Sequence, residues 1–323
     1  MASLRKLLVI GLPEAGKSTF IAALYHVAES GEVKGSLKLK RISSDAKHLN
    51  ALRREWLKFE HATRTIPDAE QSVSMLLEEP DAHSIGEIVF PDLSGETFNE
   101  DQWRDRHWSP EYEALVNEAD SILLFVHIGM VREPYTIADI QKIAQAALPE
   151  ETDVQYRSES ISADSKEAKA KTEAASTIEG WAKESQETDS IHWSADLVCT
   201  QVKLVGLLQF LVPYVEKRAP IRVGVLLSAW DLEKVTEKGV RVDPYVWLSK
   251  RLPYLHQFLR AHEAIFSTQV YGVSAQGGDL EKDQDKLAEC EPASERIIIQ
   301  GAQCAAHDIT EPVRWALGLR EPA

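Results

Sequence analysis

Residues 7–19 read Leu7-Leu8-Val9-Ile10-Gly11-Leu12-Pro13-Glu14-Ala15-Gly16-Lys17-Ser18-Thr19. An apolar run, a glycine-framed loop and the start of a helix follow one another without a gap. Gly11, Gly16, Lys17 and Ser18 fill the pattern G-x-x-x-x-G-K-[ST]. The pattern has a physical basis. Gly11 leaves the strand where a side chain would block the turn. Gly16 lets backbone N–H groups come close to a phosphate. Those N–H groups and the helix N-terminus form an anion cradle. Lys17 brings a point charge to the β- and γ-phosphates, and Ser18 offers a hydroxyl to Mg²⁺. Glu14, Ala15 and Thr19 complete the expected phosphate contacts.

Composition limits the alternatives. The chain has 323 residues, 44% of them hydrophobic, enough for a sizeable core. It carries 36 basic and 51 acidic residues, a net charge of −15. That balance argues against nucleic-acid binding, which needs Lys and Arg for phosphates, and against anionic membrane surfaces. Cys199, Cys290 and Cys304 are widely spaced, and neither C-x-x-C nor H-E-x-x-H occurs, so zinc is not indicated. A reducing cytoplasm fits. The apolar N-terminal run is short and enters the glycine loop directly, unlike a signal peptide. The longest apolar stretch, 202–215, is interrupted by Lys203, Gln209 and Pro213 and is too short to span a bilayer, so no stable membrane insertion is expected.

Outward from the loop, strands and helices alternate. Strands are expected at 7–10, 36–41, 72–77, 85–90, 121–128, 221–227 and 266–273, with a short candidate at 296–300. Helices are expected at 18–29, 44–60, 137–147, 195–217, 244–261 and 308–319. Leu49, Leu52, Trp56 and Phe59 fall on one helical face. Tyr245, Leu248, Leu252, Leu255 and Leu259 form another, read as core, with Pro253 kinking or splitting that helix. Residues 149–192 are rich in Glu, Ser, Lys, Ala and Thr and read as an acidic, flexible insert in a single domain spanning 1–323. The predicted fold is α/β, a three-layer sandwich with a mostly parallel sheet, helices on both faces and phosphates at the carboxyl ends of the strands.

Three further motifs stand at strand ends. The strand at 85–90 runs into Asp92-Leu93-Ser94-Gly95. Asp92 would support Mg²⁺ through water, and the Gly95 N–H would sense the γ-phosphate. The strand at 221–227 runs into Ser228-Ala229-Trp230-Asp231, where guanine-specific proteins place N-K-x-D. An Asp carboxylate accepts from guanine N1–H and the 2-amino group, a donor pair adenine lacks. Ser228 can still tie its loop to the phosphate loop. Ala229 has no lysine stem to cover the base, and Trp230 is either a substitute cover or core. The strand at 266–273 ends in Ser274-Ala275, the dipeptide whose backbone touches guanine O6.

In order and context, Gly11–Lys17–Ser18, Asp92–Gly95, Asp231 and Ser274–Ala275 resemble the Ras-like P-loop GTPases. The wording DLSGETF, LLSAWD, PYVWLSKRLPYLHQFL and VYGVSAQGGDL resembles the bacterial double-GTPase group, first type, encoded in GTPase-associated conflict systems such as phage defence. The resemblance covers most of the chain outside 149–192 and 279–307. It implies GTP and GDP as ligands, Mg²⁺, and partner proteins from the same gene system. The chain holds one complete P-loop. Glu96 stands where many small GTPases carry a water-orienting glutamine. It would accept from water, act as a base, or simply cap the next helix. Arg104 and Arg106 are candidates for a finger in cis, or are ordinary solvated residues. Thr65, then Thr63, is the candidate Mg²⁺-binding switch threonine. The expected activity is slow GTP hydrolysis by a molecular switch, with Lys17 and Glu96 as catalytic residues. The alternatives are a non-hydrolysing, nucleotide-dependent scaffold and an ATP-using P-loop enzyme.

Overall fold

The computed structural model describes residues 4–42, 46–60, 73–91, 110–133, 198–235 and 239–319. Thr63, Thr65, Asp92, Gly95, Glu96, Arg104, Arg106, the expected helix at 137–147 and the insert at 149–192 lie outside them.

The described strands are β1 (Arg5–Gly11), β2 (Lys38–Ile42), β3 (Val73–Glu78), β4 (Ile85–Phe90), β5 (Ser121–His127), β6 (Ile221–Ser228), β7 (Phe266–Ser274) and β8 (Ile298–Gln300). They form one sheet in the order β2-β3-β4-β1-β5-β6-β7-β8. The centre is parallel, with β1 between β4 and β5, and β6 and β7 following. The pairs β2–β3, β3–β4 and β7–β8 are antiparallel.

The central strands are apolar on both faces because both are covered. Leu7 and Val9 face a core with α1 (Lys17–Ser30), α2 (Ala46–Leu57) and α8 (Glu311–Leu317). Leu8 and Ile10 face the opposite core with α3 (Pro110–Glu118), α4 (Thr200–Val215), α5 (Pro244–Arg251) and α6 (Pro253–Ala261). β5 alternates likewise, with Leu123 and Phe125 on one side and Ile122, Leu124 and Val126 on the other. Each fully buried aliphatic side chain contributes about 1.5–3 kcal/mol. The result is the α/β fold of P-loop NTPases, and the described residues on either side of 134–197 belong to one compact unit. The remaining described helix, α7 (Gln284–Ala288), precedes β8.

Local chemistry sets the helix boundaries. Gly31 closes α1 in a left-handed conformation and donates to the Val27 carbonyl. The periodic stretch 244–261 divides as its proline requires. α5 stops at Arg251, and Pro253 opens α6 at a position that needs no N–H donor. Two face assignments need correction. Tyr245 is exposed, and Trp247 is buried in its place. Phe59 lies beyond the end of α2 with φ 61°, so it does not continue the helical stripe.

Candidate nucleotide site

The loop after β1 closes tightly against its neighbours. A β-carbon on Gly11 would come within 2.9 Å of Phe125 on β5. Gly16 has φ 84°, and a β-carbon there would meet Ser228 at 3.2 Å. Glu14 is exposed and also left-handed, at φ 58°. A non-glycine residue held this way stores strain, which functional loops tolerate. Ala15 is buried and donates to the Leu12 carbonyl at 3.3 Å. Lys17 is buried at the start of α1, and its Nζ donates to the Gly11 and Leu12 carbonyls at 2.9 and 2.8 Å. The ammonium therefore lies inside the loop's curve, where an anion would sit. Ser18 and Thr19 are half-buried on the first turn, whose N–H groups have no partners within the helix.

The loops after β6 and β7 stand beside this cradle. Ser228 is buried, and its Oγ donates to the Ala15 carbonyl at 2.8 Å. The serine that replaces the motif's asparagine thus ties the two loops together. Ala229 is left-handed at φ 54°. Trp230 is fully buried, and its Nε1 donates to Gln300 Oε1 at 2.9 Å. A β-carbon on Gly272 would come within 2.3 Å of its ring. Trp230 is therefore core and cannot cover a base. Ser274 is buried and its Oγ accepts from the Gly277 N–H at 2.9 Å, shaping the loop. The Ala275 carbonyl accepts from Trp56 Nε1 at 2.9 Å.

A cavity of about 410 Å³ opens between these loops, lined by Gly16, Thr19, His127, Ala229, Asp231 and Ala275 among others. That volume suits a small-molecule ligand. Gln276 also lines it, and its Nε2 is buried with no hydrogen-bond partner among the described residues. A buried donor without a partner fits a ligand carrying an acceptor, as guanine does on its O6 edge. Ser18 carries the hydroxyl oxygen that a hard cation such as Mg²⁺ accepts, while Asp92 and Thr65 lie outside the described residues. Among the described residues, no group of three or more His, Cys, Asp or Glu side chains could hold a metal.

The geometry thus gathers Gly11, Glu14, Ala15, Gly16, Lys17, Ser18, Thr19, Ser228, Asp231, Ser274 and Ala275 at one end of the sheet. Three residues belong with them that the motifs do not identify. His127 falls inside the buried strand expected at 121–128 and is the last residue of β5 in the structure. Its location at the carboxyl end of a strand beside β1 is the signal for it. Trp56 reads as helix core, although an indole N–H in such a position needs a partner. Gln276 is the variable position after Ser-Ala.

The sequence model of the family described as Double-GTPase 1 matches residues 8–316. No curated protein matches. Among solved structures, the chain is similar to a bacterial selenocysteine-specific elongation factor, EF-Sec, at 12% identity and TM-score 0.34, covering 88% of this chain. It spans 28% of that protein's chain. It is also similar to the signal recognition particle receptor SRb-GTP/SRX complex from Chaetomium thermophilum, at 11% identity and TM-score 0.34, covering 85% of this chain and 92% of that one.

Proposed function

We propose that this chain, which belongs to the Double-GTPase 1 family, is a GTP-binding switch that slowly hydrolyses GTP with Mg²⁺. The observation that carries this reading is the Ser228–Ala15 hydrogen bond. It joins a phosphate cradle to the loop bearing Asp231, with the cavity opening beside both.

In this reading the N–H groups of the loop after β1 and of the first turn of α1 hold the phosphates. Lys17 leaves the Gly11 and Leu12 carbonyls for the β- and γ-phosphates. Asp231 accepts from guanine N1–H and the 2-amino group, and the Ser274–Ala275 backbone donates to O6. Ser18 and Thr65 would hold Mg²⁺ directly, with Asp92 supporting it through water. The ion would neutralise charge on the β- and γ-oxygens. Glu96 would orient or deprotonate the attacking water, and Gly95 would sense the γ-phosphate. Loss of that phosphate would release the segments around Thr65 and Glu96. Turnover is expected well below the ~10 s⁻¹ typical of enzymes. The whole chain acts as one nucleotide-binding domain with an insert at 149–192, alongside partner proteins of a bacterial conflict system.

Displacement of a fluorescent GDP analogue by GTP, GDP and ATP tests the base assignment. Guanine nucleotides should displace it, and ATP should do so at least about tenfold more weakly. Equal competition by ATP would favour an ATP-using enzyme. Glu96 motivates a second reading, a scaffold that binds GTP without cleaving it. GTP persisting for hours on the purified protein would favour that one.

A further inference from the structure

The N-K-x-D pattern supplies a lysine stem over the base, and here that position is Ala229, which lines the cavity with nothing beyond its β-carbon. Trp230 is committed to the core. The neighbouring strand reaches the same space. His127, the last residue of β5, pairs in register with Ser228 and also lines the cavity. It shares the lining of that cavity with Gly16 of the phosphate loop and with Ser228, Ala229 and Asp231 of the base loop. The imidazole therefore borders the space a nucleotide would fill in the proposed reading.

Its protonation state is set from behind. The Gly129 N–H donates to His127 Nδ1 at 3.2 Å, which keeps that nitrogen unprotonated and leaves the proton on Nε2. Burial disfavours the charged form and holds the pKa below the ordinary histidine value, outweighing Asp231, a hydrogen bond to its own backbone and Glu14, all of which favour that form. The ring at the cavity is thus a neutral aromatic surface, suited to stacking on a purine.

We propose that the His127 imidazole is a substrate-binding residue that covers the face of the base left open by Ala229. The proposal rests on the nucleotide-site reading above and adds the group that replaces the missing lysine stem. A stacked ring does not distinguish purines, so His127 would serve affinity while Asp231 serves specificity.

The test uses the full chain with fluorescent GDP and with inorganic tripolyphosphate, which engages only the phosphate loop. His127→Ala should weaken GDP about tenfold, the scale of base–aromatic stacking. It should leave tripolyphosphate affinity unchanged. His127→Phe, which keeps an aromatic face and removes both nitrogens, should stay within about threefold of the parent. GDP affinity unchanged in His127→Ala would overturn the proposal. So would equal losses of GDP and tripolyphosphate, because His127 would then be supporting the loop. If the parent protein binds ADP as well as GDP, the guanine reading fails while the same series with ADP still tests the ring.

Discussion

The two ends of the candidate site are built in different ways. The phosphate end is one contiguous stretch, Gly11 to Thr19. In the proposed reading it works mainly through backbone N–H groups, three residues with positive φ and one lysine. The proposed base end draws on residues 56, 127, 228–231 and 274–276, and would work through side chains and the loops they pin. Backbone recognition fixes residue types closely, because few residues adopt those conformations. Side-chain recognition assembled from distant segments can be rebuilt. Here Ser228 replaces an asparagine yet still holds Ala15, and a histidine on the adjacent strand faces the space beside Ala229.

That contrast fails or holds on separable measurements. The largest effect belongs to Lys17→Ala, which removes the cradle's buried cation. GDP and tripolyphosphate affinity should both fall by about a hundredfold, the loss of a charge-assisted contact worth roughly 3 kcal/mol. Retained binding of either would break the phosphate-end assignment. Next comes Trp56→Phe, which keeps the core ring and deletes the donor to the Ala275 carbonyl. Leaving that carbonyl without a partner costs about 1–2 kcal/mol. GDP affinity should fall roughly tenfold while tripolyphosphate is unaffected. Equal effects on both ligands would mean the ends are not separable. Ser228→Ala removes the tie between the ends and should cost about 1 kcal/mol in unfolding free energy. Both ligands should weaken a few-fold, sharpening the view that this serine couples rather than contacts.

The smallest effect is a pH slope. Behind the phosphate loop, His26 on α1 has Glu32 on Nε2 at 2.9 Å and accepts from Arg53 Nε at 3.0 Å. Burial, aided by Arg53, holds its pKa below the ordinary value despite Glu32, as burial also does for His127. Below a pH of about 6.5 the unfolded chain takes up protons that the native state resists. Stability should therefore fall as pH drops from 7.5 to 5.5. In differential scanning fluorimetry the fall in Tm should be smaller in His26→Gln. An unchanged slope would remove His26 from this account.

How far the sequence was legible follows the same division. The central strands β1, β5 and β6 show as apolar runs because the middle of the sheet is buried on both faces, whereas β2, reading Lys38 to Ile42 at the sheet edge, is largely polar and exposed. Pro253 split its helix as a missing N–H requires. The tight turn after β1 is readable from its glycine spacing, since Gly11 and Gly16 stand where a β-carbon would crowd Phe125 and Ser228. Trp230 could not be settled by pattern, because an indole beside a ligand and one in a core have the same neighbours in sequence. Its packing over Gly272 decides the matter. Tyr245 followed the apolar period yet faces solvent, since a phenol tolerates either side. Trp56 and His127 were invisible as site residues because their roles depend on strands and loops more than 70 residues away in the chain.

The central claim is that Asp231 reads guanine in a site whose phosphates rest on residues 11–19. The direct measurement is paired titration of the parent protein and Asp231→Asn with GTP and xanthosine triphosphate, against the same fluorescent nucleotide. Xanthine carries a carbonyl where guanine carries its 2-amino group, so an asparagine amide pairs where a carboxylate is repelled. The account predicts that the parent prefers GTP and that Asp231→Asn reverses the preference by at least about tenfold. An unaltered GTP preference in Asp231→Asn would contradict it.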